Sequence, residues 1–81
     1  MKHLIIPIVD AVAAEFGVTR ALIMARNRHP SVVAARHESI LRACEAYPNK
    51  SDREIAALFN LDRTTIQHAR HKAAQRRMET R

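Results

Sequence analysis

Residues 52–71, Asp-Arg-Glu-Ile-Ala-Ala-Leu-Phe-Asn-Leu-Asp-Arg-Thr-Thr-Ile-Gln-His-Ala-Arg-His, leave the chain few ways to fold. Ile55, Ala56 and Phe59 recur at helical spacing and give a first helix one apolar stripe. Asn60 falls where the backbone must turn sharply, and Leu61 plugs that turn into the core. Ile66 and Ala69 repeat the stripe on a second helix. Where two helices cross this closely, Ala56 leaves no room for a larger side chain. Arg63, Thr64, Gln67, His68 and His71 remain on the outer face. The layout is a helix-turn-helix, a motif whose second helix enters the major groove of a duplex.

The rest of the chain extends this helical pattern. Its 81 residues suffice for one domain, 1–81, with one modest core. Ala, Arg, Leu, Ile and Glu dominate, Gly occurs once, and no alternating strand pattern lies between turn signals. The expected fold is all-α, a small bundle of four to five helices containing the helix-turn-helix. Pro7 suits the first turn of a helix whose inner residues are Ile5, Ile8, Val9, Val12, Ala13 and Phe16, and Gly17 ends it. Thr19 is placed to cap a short helix over 20–25, with Leu22 and Ile23 inward. Residues 26–31 read as a basic loop. Pro30 disfavours helix at His29, and Ser31 is the expected cap of a long helix from Val32 to about Tyr47. The expected inner stripe is Val33, the Arg36 stem, Ile40, Ala43, Cys44 and Tyr47, and Pro48 stops the helix. Arg36 and Arg42 are expected to pair with Glu38 or Glu45 along it. Ser51 and Glu54 form a capping box, and Asp62 caps a second motif helix from Arg63 to about Arg77. Residues 78–81 are expected to fray.

Charge separates the function classes. The net charge is +6, and it is uneven. Over residues 1–25, Lys2 and Arg20 balance Asp10 and Glu15. Over 62–81, Arg63, Arg70, Lys72, Arg76, Arg77 and Arg81 outnumber Asp62 and Glu79, and the 26–50 stretch is also basic. A polyanion partner follows, nucleic acid first. The single cysteine, Cys44, permits no intramolecular disulfide and reads as a core residue in a reducing cytosol, with a cytoplasmic, nucleoid-associated protein expected. His68 and His71 lack a third metal ligand nearby, so no metal and no cofactor is expected. The apolar start, Leu4 to Val9, is too short to span a membrane and carries no cleavage signal. Paired carboxylates in a cleft, an activated nucleophile and a Gly-rich phosphate loop are all missing, which speaks against an enzyme.

Several strings together resemble a known family. Glu54-Ile55-Ala56, Phe59, Asp62-Arg63-Thr64-Thr65-Ile66, His68-Ala69 and Lys72, with Arg26-Asn27-Arg28-His29-Pro30-Ser31-Val32 and Arg36 upstream, resemble the C-terminal DNA-binding domain of the bacterial replication initiator DnaA. The resemblance covers about Val12 to Lys72 and implies a Trp-repressor-like helix-turn-helix that binds duplex DNA. The chain departs from the family in three places. Asn60-Leu61 stands for a longer turn with two Gly and an Arg, Arg63 stands for the family's base-reading His, and Pro30 stands where the family's loop often has Arg. A different DNA site is implied. With no ATPase motif, the chain reads as a stand-alone regulator or the N-terminal piece of a longer protein.

The candidate interface follows from these readings. Arg63 at the tip of the second helix is placed to bond guanine O6 and N7 bidentately. Asp62 suits cytosine N4 as well as the helix cap, and Thr64 suits a phosphate or a thymine methyl. Gln67 suits adenine N6 and N7, and His68 reads either as a phosphate contact or as a packing residue. Arg26, Arg28 and His29 form a second set for phosphates or the minor groove. Lys50, Ser51, Thr65, His71 and Lys72 are placed for the DNA backbone. The favoured reading is sequence-specific binding of double-stranded DNA in transcriptional regulation. The alternatives are a replication-initiation domain, a basic adaptor for an acidic protein, and non-specific nucleic-acid binding. One copy covers little DNA, so a second copy, a further domain or a transcription or replication protein is expected to add affinity.

Overall fold

Backbone preferences set where each helix begins and ends. In the computed structural model, which describes residues 4–79, helix α1 spans Ile6–Phe16 with Pro7 in its first turn. Gly17 follows in the left-handed region at φ 68° and returns its N–H to the Ala13 carbonyl. Helix α2, Arg20–Met24, starts where Thr19 Oγ1 accepts the Leu22 N–H at 3.2 Å. Helix α3 spans Pro30–Ala46, α4 spans Asp52–Phe59 and α5 spans Arg63–Glu79. The architecture is all-α. Helix α3 packs against each of the other four, and one apolar cluster runs through them from Ile5, Val9 and Val12 to Ile55, Phe59, Ile66 and Ala69. None of the described helices is long and apolar enough to cross a membrane.

The start of α3 differs from the sequence expectation. His29, not Ser31, is the cap: its Nδ1 accepts the Ser31 N–H at 3.2 Å, and Pro30 is the first helical residue. The cause is proline's fixed φ, which suits it to the first helical position, while the residue before it stays extended. Asn27 Oδ1 accepts the His29 N–H at 2.8 Å and closes the loop just upstream. The buried stripe of α3 also shifts, to Val32, Ala35, Glu38, Ser39, Ile40 and Ala43, with Val33, Cys44 and Tyr47 half-buried. Ser39 tolerates full burial because its Oγ donates to the Ala35 carbonyl at 2.9 Å. Tyr47 ties the end of α3 to the segment before α1 by donating its hydroxyl to the Leu4 carbonyl at 2.9 Å.

Arg36 does not pair with an acidic neighbour. Its Nε donates to the Ile23 carbonyl at 2.7 Å, and its Nη2 to the carbonyls of Leu22 (3.2 Å), Ala25 (2.7 Å) and Asn27 (3.1 Å). A five-residue helix leaves its final carbonyls without intrahelical partners, and the guanidinium fork meets them. Arg42 behaves as expected toward Glu38, at 2.7 Å, and also grips Glu15 on α1 through two bonds. Glu38 accepts a further bond from Arg77 Nη2 at 2.8 Å, so the buried carboxylate is paired twice.

The α4–α5 turn depends on Asn60, which adopts φ 59° and ψ 43° and is the one non-Gly residue at positive φ among those described. The Leu61 N–H then bonds back to the Ala56 carbonyl at 2.9 Å. Helix α5 extends through Met78 and Glu79, which were expected to fray; Thr80 and Arg81 lie outside the described residues. Arg76 and Arg77 in its last turn complement the helix dipole, and Arg77 also clasps Glu45 at 2.7 Å.

Two substitutions test these constraints. Arg36→Met strands several carbonyls and should lower stability by about 2–4 kcal/mol, read as a fall in the urea midpoint, with Arg36→Lys recovering only part. Asn60→Val should cost about 1–2 kcal/mol, because a β-branched residue resists the left-handed region, whereas Asn60→Gly should be nearly neutral.

Candidate nucleic-acid interface

Helix α5 buries only Ile66, Ala69 and Ala73, so most of its circumference faces outward. Its tip is tied down by Asp62, whose Oδ1 accepts the Thr65 N–H at 2.7 Å. That backbone bond holds the Asp62 carboxyl below its ordinary range. Arg63 and Thr64 on the first turn are exposed, as are Gln67, His68, His71 and Lys72. Thr65 is half-buried. Arg63 makes no hydrogen bond or ion pair among the described residues.

The basic loop lies beside this tip. Arg26 and Arg28 line a shallow concavity of about 550 Å³ together with Arg36, His37, Asp62 and Thr65. The loop arginines and the capped start of α5, far apart in the sequence, therefore border one hollow. The four bonds from Arg36 are what bring the loop there. His29 is exposed beside them; because its Nδ1 accepts from Ser31, the ring proton sits on Nε2, which remains a donor.

Lys50 and Ser51 sit at the far end of α4. The capping box takes the Ser51 N–H, which donates to Glu54 Oε1 at 3.0 Å, and Ser51 Oγ, which accepts from the Glu54 N–H at 3.2 Å. These bonds hold the Glu54 carboxyl below its usual range. Lys50 Nζ lies 3.9 Å from Glu54 Oε2. This helix start is thus already occupied by its own side chains, with Asp52 and Glu54 adding negative charge.

Two residues, Asp52 and His37, matter more than their local sequence suggests. Asp52 accepts from Arg70 Nη1 at 2.6 Å and from Gln67 Nε2 at 3.3 Å. His37 on α3 meets the His68 ring edge-on, with centroids 5.9 Å apart at 85°, and its Nδ1 lies 3.1 Å from Arg76 Nη1. A guanidinium has only donors, so His37 Nδ1 accepts and the ring is neutral. Burial, then the charges of Arg76, His68, Arg36 and Lys72, push His37 down to about 4. No local spacing signals these contacts, because each partner lies in another helix. Among the described residues no group of three or more His, Cys, Asp or Glu is placed to hold a metal.

The His37 shift makes stability depend on pH. The folded state binds the His37 proton more weakly than the unfolded chain does. Its contribution is therefore complete above its ordinary value of 6.5 and is lost as pH falls toward about 4. Glu15 and Glu45, held low by bonds from Arg42 and Arg77, lose their contributions only below the ordinary carboxylate range. The urea midpoint should fall between pH 7 and pH 5, and His37→Gln should flatten that slope.

Residues 5–73 match the family described as the bacterial dnaA protein helix-turn-helix. No curated protein and no solved structure matches the chain. The match runs from the start of α1 through the motif helices and most of α5, and takes in both cationic sets. The chain belongs to the bacterial DnaA helix-turn-helix family, a family of DNA-binding domains.

Proposed function

We propose that this chain binds double-stranded DNA at a preferred sequence and acts as a transcriptional regulator, or as the DNA-reading part of one. The observation that carries the reading is Arg63. It sits on the leading turn of α5, exposed and without a partner among the described residues, while the Asn60 turn and Asp62 cap hold that turn in place. A guanidinium so placed reaches guanine O6 and N7 when α5 enters the major groove. Thr64, Gln67 and His68 then face neighbouring base edges, and Asp62 adds a contact to cytosine N4 beside its capping role.

Arg26, Arg28 and His29 grip the flanking backbone or the minor groove from the loop, and Thr65, His71 and Lys72 hold phosphates along α5. At the start of α4, Lys50 contributes charge, and Ser51 chiefly holds the helix start. The interface of one copy is small, so a second copy, an additional domain or a partner protein supplies further affinity. Regulation of transcription is the use proposed for this binding, with a part in replication initiation as the alternative.

Selection from random duplexes should enrich a motif containing guanine. Arg63→Ala should cut preference for that motif by about 10- to 100-fold, in line with a lost bidentate base contact. Arg28→Ala should weaken all duplexes alike and reduce the salt slope by about 0.9. A basic adaptor for an acidic protein would enrich no motif. Non-specific binding would give a salt slope without a preference.

A further inference from the structure

Asp52 opens α4, yet its side chain reaches across to α5. Its side chain is only 24% exposed, with Oδ1 on Arg70 Nη1 at 2.6 Å and Oδ2 on Gln67 Nε2 at 3.3 Å. Gln67 and Arg70 stand three residues apart, one above the other on the flank of α5 that faces α4. With Leu41 of α3, these three residues line a hollow of about 500 Å³ between the helices. One carboxylate thus engages two polar side chains of the helix proposed to enter the groove.

We propose that Asp52 is a positioning residue that decides what the middle of α5 reads and how much charge it offers to DNA. The inference rests on the reading that α5 occupies the major groove. A free glutamine amide can present either end to a base, and so discriminates poorly. Bonding one N–H of Nε2 to Asp52 fixes the amide's orientation. The carbonyl oxygen and the second N–H remain unengaged among the described residues. An acceptor beside a donor is the pattern that adenine N6 and N7 require in the major groove.

The same carboxylate neutralises Arg70 and turns it toward α4. Arg70 would otherwise add a cation to a helix that already carries Arg63 and Lys72, and so raise affinity for every sequence alike. Asp52 therefore lowers general affinity and sharpens adenine preference through two bonds to one group.

The test uses the whole chain and two duplexes, the selected site and the same site with its adenine replaced, each titrated at several salt concentrations. Asp52→Asn removes the charge but keeps the shape. The ratio of affinities for the two duplexes should fall by about tenfold, the value of one good base contact. Affinity for the replaced duplex should rise, and the salt slope should steepen by about 0.9 as Arg70 reaches a phosphate. In the Gln67→Ala background, Asp52→Asn should leave the ratio unchanged. In the Arg70→Gln background it should leave the slope unchanged. These couplings survive a general loss of stability, because a structural effect would act in both backgrounds. If the wild-type chain discriminates between duplexes but Asp52→Asn moves neither ratio nor slope, Asp52 is only a helix-start carboxylate and the proposal is overturned with base reading intact. If the wild-type chain discriminates among no duplexes, base reading by α5 is wrong and the proposal falls with it.

Discussion

The fold depends on how little apolar surface holds α5. Ile66, Ala69 and Ala73 are its only buried residues over 17 helical positions, and two of them are alanines. Small side chains let α5 lie close to α3 and α4, but they bury little area and so contribute modestly. Polar clasps along the flanks supply the rest: Asp52 on Arg70, His37 on Arg76, and Glu38 and Glu45 on Arg77. Such clasps are worth little when solvated and more where, as at Glu38, the carboxylate is buried and doubly paired. The arrangement fixes the rotation of α5 about its own axis, and that rotation decides which side chains face outward.

The same clasps sort the positive charge. Much of the surplus in the last helix is engaged within the fold, because Arg70, Arg76 and Arg77 each meet a partner on α3 or α4. Arg63 at the tip and Arg26 and Arg28 in the loop are not held in this way, and the bonds from Arg36 to the end of α2 keep the loop near the tip. The field offered to a polyanion is therefore narrower than the net charge of +6 suggests. Part of it, from Arg63, Arg26 and Arg28, lies where the leading turn of α5 and the loop meet.

Much of this was legible in the residues themselves. Pro7 and Gly17 bracket α1, the Ser51–Glu54 box starts α4, and Asn60 marks the turn, because each acts through its own backbone within a few positions. The outward face of α5 followed from helical spacing alone. What was misread depends on contacts across space or on unusual chemistry. Histidine is an uncommon cap, so Ser31 drew the expectation that His29 fulfils. The α3 stripe includes Ser39 and Glu38, polar residues that no apolar pattern reveals and that are buried because partners satisfy them. Arg36 has acidic neighbours on its own helix, but it serves carbonyls that α2 cannot satisfy itself. Asp52 meets Gln67 and Arg70 at separations of 15 and 18 residues, beyond the reach of any local pattern.

In the proposed reading, the exposed face of α5 and the neighbouring loop form one DNA-binding surface. The most direct measurement is a map of amide and side-chain chemical shifts across the whole chain as a duplex is titrated in. The largest changes should fall on Arg63–His71 and on residues 26–29, with α1 nearly silent. Changes centred on α1 and α2, or a duplex that binds without disturbing the first two turns of α5, would contradict it.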